Sequence, residues 1–263
     1  VKNKQQALYI IGAILLSAVL YWGFDTKPSS QKALEKSRVL SGQIFDINSL
    51  QNEAKKNLNQ GDLEVVEALE SQARFAGGDS ARVEILKQLS GFWFKQQKPV
   101  LAGIYAKEVA EKLQSAQSWG ITGTTFASAL KQSELAEKDR SLARDQAVDA
   151  FEHAISLDPK AVEYRVNQAL CYIEIPDAAQ PMKGVQMLAG LATTYPESYL
   201  PVYHLARLAV QTGQYEKAEG RIEQALKLAP EDPRIACLAV DIYKAVNKPE
   251  KAEALAGLCA KTK

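Results

Sequence analysis

The sequence predicts an all-α protein built as a stack of repeated helix pairs. No convincing strand-period alternation occurs after residue 78, and apolar residues recur at helical spacing in blocks closed by Gly or Pro. A fixed period is the third sign. Ala218 recurs as Ala252, 34 positions later, and Pro196 to Pro230, Gly184 to Ala218, Leu188 to Ile222 and Leu191 to Ala225 keep the same interval. A period shared by unrelated side chains marks a repeated structural unit.

The first element is an anchor. Residues 7–24, "ALYIIGAILLSAVLYWGF", contain no charge, and as a helix they span ~27 Å, close to the hydrocarbon thickness of a bilayer. Lys2 and Lys4 precede it, and Tyr9, Tyr21 and Trp22 lie near its ends, where interfacial aromatics are favoured. Residues 1–6 are therefore expected in the cytoplasm. The rival reading is a cleaved signal peptide, but the apolar run is long for one and "DTKPSS" offers no small-x-small cleavage site. Residues 25–45, with Pro28 and four serines, suit a linker or stalk.

A helical hairpin is expected over 46–78. Asp46 would cap its first helix, Gly61 would break the chain, and the second helix would gather Leu63, Val66, Leu69 and Phe75 on one face before Gly77 and Gly78. Five repeats then fill 83–115, 116–161, 162–198, 199–232 and 233–263. The unit at 199–232 is the most regular, with Leu205, Ala206, Gly213, Tyr215, Ala218, Ile222, Ala225 and Pro230. The unit at 116–161 opens on "WGITGTTF", closes through Ala147, Phe151, Ala154 and Pro159, and runs about twelve residues over the period.

This period and these residue types resemble the tetratricopeptide repeat, whose pattern reads W-x2-L-G-x2-Y, A-x3-F and a closing P. The resemblance covers 83–263 and implies a right-handed solenoid of helix hairpins. A hairpin alone leaves an apolar side uncovered, and stacking joins those sides into one core. Ala102, Ala147, Gly184, Ala218 and Ala252 are then spacers where helices cross most closely, so Ala218 and Ala225 in "GQYEKAEGRIEQALKLAP" set helix separation.

Composition bounds the function. With 46% hydrophobic and 24% charged residues the chain has material for an ordered core. Its 32 basic against 31 acidic residues give no reason to expect nucleic acid. Cys171, Cys237 and Cys259 form no CxxC pair, so neither zinc nor a redox pair is indicated. They read as small core residues; the alternative, in an oxidising compartment, is that Cys237 and Cys259 are neighbours within one helical hairpin and pair. The two histidines, His153 and His204, fit no catalytic or metal spacing, "GITGTT" lacks the lysine and strand of a phosphate loop, and HExxH and GxSxG are absent. An enzyme, a metal and a cofactor are not expected.

What remains is binding. The resemblance implies a concave groove lined by the first helix of each pair, taking a peptide or partner helix. Its groove positions here are Glu163, Val166, Asn167, Leu170, Ile173 and Glu174, then Leu200, Tyr203, His204, Arg207 and Gln211, then Arg234, Leu238, Asp241 and Lys244. The strongest candidates are Asn167, Leu170, Glu174, Tyr203, His204, Arg207, Arg234 and Asp241, with Tyr203 and Arg207 of the types that dominate interface energetics. Covering the stack is the alternative role for Tyr203 and His204. Some members of the family clamp carboxy-terminal acidic peptides with lysines and asparagines; Val166, Leu170, Tyr203 and Cys237 stand at most of those positions here, so that receptor role is not implied.

The expected whole is a single-pass scaffold on the periplasmic face of a bacterial inner membrane, an accessory subunit of an export or assembly complex. A regulatory or substrate-binding subunit of an envelope enzyme and an organellar import receptor are the alternatives. Leu255, Leu258 and Cys259 would leave a modest apolar patch on an uncapped last helix.

Overall fold

A computed structural model describes residues 47–262. The anchor at 7–24 with Tyr9, Tyr21 and Trp22, the cytoplasmic 1–6, the stalk at 25–45 and the cap at Asp46 lie outside the described residues. Residues 47–263 form one compact unit. Twelve α-helices and two short 3-10 turns make up its described part, with no strand among the described residues.

Two helices come first, α1 (Ile47–Lys56) and α2 (Gln60–Arg74). The chain breaks at Asn57–Asn59, not at Gly61. Asn59 caps α2 by accepting a hydrogen bond from the Asp62 N–H at 2.9 Å, which places Gly61 inside the first turn. Val66 is buried, and Leu63 and Leu69 are half-buried, as the apolar spacing requires. Phe75 departs from that face: it follows the last helical residue and is 82% exposed.

Five helix pairs follow. They are α3 (Asp79–Lys95) with α4 (Pro99–Leu113), α5 (Ala116–Ser128) with α6 (Glu137–Leu157), and α7 (Val162–Glu174) with α8 (Lys183–Thr194). Then come α9 (Tyr199–Gln211) with α10 (Tyr215–Leu228), and α11 (Pro233–Ala245) with α12 (Pro249–Cys259). The long unit is explained by a 3-10 turn, Ala129–Lys131, added to the end of α5 and by the 21 residues of α6.

Three of the pairs turn in the same way. The Lys98, Gln214 and Lys248 N–H groups reach back five residues to the Trp93, Ala209 and Tyr243 carbonyls at 2.9, 2.8 and 2.8 Å. The residue before each donor, Gln97, Gly213 or Asn247, has φ of 57°, 72° or 56°. This is the left-handed C-terminal cap that satisfies carbonyls a helix end would leave bare. Gly213 adopts it without a Cβ penalty, and Asn247 occupies the same place one period later.

The small residues lie at the crossings. Ala102, Ala147 and Ala218 are wholly buried, Ala252 is nearly so, and Gly184 is buried against α7. Large side chains fill the space beside them: Trp93 between α3 and α4, Phe151 against Gly123, and Ile222 with Ile235 and Ile242 in the last core cluster. "GITGTT" belongs to α5, where Gly120 faces the Tyr164 ring and Gly123 the Phe151 ring.

Cys237 and Cys259 form a disulfide joining α11 to the end of α12, while Cys171 is a free, buried thiol whose pKa burial pushes up to about 12. The reading of all three cysteines as small core residues is therefore corrected at Cys237 and Cys259, where the alternative of pairing within one hairpin holds. On the last helix, Leu255 and Cys259 pack partly against the α9–α12 core and Leu258 is half-buried, so the three side chains are neither fully covered nor fully exposed.

Candidate binding groove

The side of the stack that carries the site follows from how the pairs meet. The first helices α5, α7, α9 and α11 each approach the next, whereas the second helices α6, α8, α10 and α12 do not come as close to one another. A stack whose first helices crowd together curves toward them, so these four helices line its inner side.

A cavity of about 310 Å³ opens between α5, its 3-10 extension, α7 and α9. Asn167, Leu170 and Glu174 of α7 and Arg207 of α9 all line it. Four of the eight candidate residues therefore meet at one place. The rest of the wall includes Phe151, a repeat position, and residues that no groove position covers, among them Thr124, Leu130 and Lys131. Leu130 and Lys131 sit on the 3-10 turn, in the stretch that breaks the period. That excess length was the one signal in the sequence that something beyond the repeat stands there.

Tyr203 and His204 lie beside this cavity on α9 and meet edge to face, ring centroids 5.1 Å apart. Tyr203 packs part of its ring against the core. His204 is held neutral: burial, then the positive charges of Arg207, Arg234 and Lys131, lower its pKa to about 4. Two polar atoms here are buried without a hydrogen-bond partner among the described residues, His204 Nδ1 and Arg207 Nε. Such atoms are costly, and a bound group that reached them would remove the cost.

Other candidates are elsewhere. Arg234 is occupied within the chain: its guanidinium donates to Asp232 Oδ2 at 2.6 Å and to the Tyr199 hydroxyl at 2.7 Å. The bond from Arg234 holds the Asp232 carboxyl down at about 2, and the pair raises the arginine's own pKa. Asp241 is exposed on α11. Val166, predicted for the groove, is 1% exposed and belongs to the core with Leu188 and Leu205. On the far side of α7 a wider cleft of about 480 Å³ is lined by Glu152, Arg165, Gln168 and Met187, none of them a predicted site residue. Among the described residues no cluster of His, Cys, Asp and Glu is arranged to hold a metal ion. No described helix is long and apolar enough to cross a membrane.

The tetratricopeptide repeat family model matches residues 176–240, from the loop before α8 into α11. That stretch is similar to the tetratricopeptide repeat. The match takes in the α9/α10 pair whole, the pair with the most regular spacing. No curated protein matches the chain. Among solved structures, a tetratricopeptide repeat protein from Parabacteroides merdae is 15% identical, with a TM-score of 0.47, over 80% of this chain and 77% of that one. MamA 41-end from Desulfovibrio magneticus RS-1 is 16% identical, with a TM-score of 0.41, over 70% and 96%. MamA AMB-1 is 15% identical, with a TM-score of 0.37, over 70% and 92%. Likeness at this level transfers neither curvature nor role, so the site of this repeat protein rests on its own geometry.

Proposed function

We propose that this chain is a membrane-anchored scaffold that holds a protein partner along the inner side of its repeats, in the bacterial envelope. The observation that carries the reading is the cavity between α5, α7 and α9. It collects Asn167, Leu170, Glu174 and Arg207, and beside it buried donor and acceptor atoms are left without a partner among the described residues. A tetratricopeptide stack without such a row would be a spacer; one with it has a surface to offer.

The apolar run at 7–24 supports an anchor, and the lysines before it support a cytoplasmic amino terminus. The repeats would then face the periplasm. The Cys237–Cys259 disulfide favours that side, because such bonds persist in oxidising compartments. It counts against an import receptor with its repeats in the cytosol. Within this reading the chain serves as an accessory subunit of an export or assembly complex, and the lipid bilayer is its second partner.

The test is crosslinking in intact membranes, affinity purification and mass spectrometry, comparing the natural chain with Tyr203→Ala. A defined partner enriched with the natural chain and lost with the variant supports the scaffold. Equal recovery from both removes the inner row from the account. A reporter fused after residue 263 reads the sidedness separately.

A further inference from the structure

Two polar residues stand in the core register of α7. In the register set by Ala169, Ala206 and Val240, Arg165 takes the place that Val202 has in α9 and Ala236 in α11, and Gln168 that of Leu205 and Ala239. Those four are buried, Leu205 in the core that it shares with α7 and α8. Arg165 and Gln168 instead form the floor of the outer cleft of about 480 Å³, between α6 and α8. Gln168 is 9% exposed, and its Nε2 donates to the Glu152 carboxylate over 3.5 Å, at the outer limit of a hydrogen bond. Arg165 Nη1 is buried and has no acceptor among the described residues. One pair further on, Arg221 of α10 stands where Met187 stands in α8 and reaches back to α9, donating to the Leu205 carbonyl at 2.9 Å. Met187 makes no such bridge, and at Gly190 nothing lies within 4 Å of where a Cβ would be, so the cleft is open on that side. A break in the repeat that leaves a buried donor unpaired costs stability, and such breaks are expected where a protein binds something.

We propose that this cleft binds a small, uncharged molecule carrying a primary carboxamide on a short branched aliphatic body. Its carbonyl would accept from Arg165 Nη1, and its NH2 group would donate to the Glu152 carboxylate, whose two oxygens accept several bonds. Ile155 and Met187 would hold the aliphatic body between α6 and α8. The head is neutral because the site holds one guanidinium and one carboxylate: an acid would meet Glu152 with no proton to offer it, and an amine would meet Arg165. The walls decide for a small molecule over a polypeptide. A chain lying along the cleft would bring a further N–H and carbonyl at every residue against Ile155, Met187 and Leu191, which offer them no partner. A single head group at the floor leaves nothing polar on those walls, and the volume suits a molecule of this kind. The site lies across α7 from the inner cavity and stands whether or not a partner binds there.

Ligand-observed saturation-transfer NMR with the full chain in detergent micelles, read against empty micelles, tests the assignment. The probes are isovaleramide, isovalerate and N-acetylleucine N-methylamide, which share an isobutyl group and carry a primary amide, a carboxylate and two peptide bonds. Isovaleramide is expected to bind at least about ten-fold tighter than isovalerate, as loss of a hydrogen bond to a charged group implies, and tighter than the N-methylamide. Arg165→Met keeps an unbranched apolar side chain and removes the guanidinium; it should weaken isovaleramide by about ten-fold, with a urea midpoint no lower than that of the natural chain. Gly190→Leu fills the open side of the cleft from an exposed helical position, where the replacement suits a helix, and should also weaken it by about ten-fold. No transfer to isovaleramide from the natural chain, isovalerate binding as tightly, or either variant binding like the natural chain would overturn the assignment. Tighter binding of the N-methylamide would overturn it as well, and would make the cleft a polypeptide site.

Discussion

At Gly184 a single methyl group has nowhere to go. A Cβ there would sit 2.5 Å from the Ala169 carbonyl oxygen and 2.6 Å from Ile173 Cγ1, and the carbonyl belongs to a helix that cannot step aside. Gly184→Ala should therefore lower stability by about 1–3 kcal/mol. Gly220, in α10 with nothing within 4 Å of its Cβ position, is the control. Gly220→Ala should raise stability by up to about 1 kcal/mol, because only the helix-propensity effect is left. Urea midpoints of the two variants, moving in opposite directions, check both. His204 gives a pH dependence. Its folded pKa is about 4 against 6.5 for a free histidine, so the unfolded chain takes up the proton first as pH falls. The contribution is complete above pH 6.5 and is lost as pH falls toward 4, at most about 3 kcal/mol. The melting temperature of His204→Gln should vary less than that of the natural chain across this window. At this scale the sequence was legible where one side chain decides the matter, as with the spacer glycine. It misled where a neighbour intervenes: Arg234 has a groove position, yet Asp232, capping α11 two residues before it, takes its guanidinium.

Among the elements, the last pair carries a covalent tie that periodicity does not announce. Repeats encode crossings, and crossings can be read from small residues at a 34-residue interval; a disulfide depends on the distance between two Cα atoms, which spacing alone leaves open. The Cys237–Cys259 bond closes a 22-residue separation. Reduction should cost about 3 kcal/mol in a chain-entropy estimate. Because each pair touches only its neighbours, the loss should be local. Hydrogen exchange after reduction is expected to speed up in α11 and α12 first and leave α3 to α6 unchanged; uniform loss of protection would contradict that. In α10, Ala218 is wholly buried at the crossing beneath α9 and α11. Ala218→Leu should overpack it by about 1–3 kcal/mol, seen as a lower melting midpoint. The 3-10 turn at Ala129–Lys131 was hidden for the opposite reason. It belongs to no repeat, so a period search discards it, and with it the lysine that completes the cavity wall.

For the whole molecule, a linear stack separates holding together from binding. The crossings and caps account for the first. The inner row, where α5, α7, α9 and α11 approach each other, is the surface whose identities the repeat does not dictate, which is why the fold was readable from the sequence and the cavity only in part. The scaffold claim is tested most directly by placing a photo-reactive residue at Asn167 on the inner side, and in a second protein at Gln224, exposed on α10, and irradiating intact membranes. The account predicts an adduct of one defined mass from position 167, diminished by Lys131→Gln, and none of that mass from position 224. The same adduct from both positions, or from 224 alone, would contradict it.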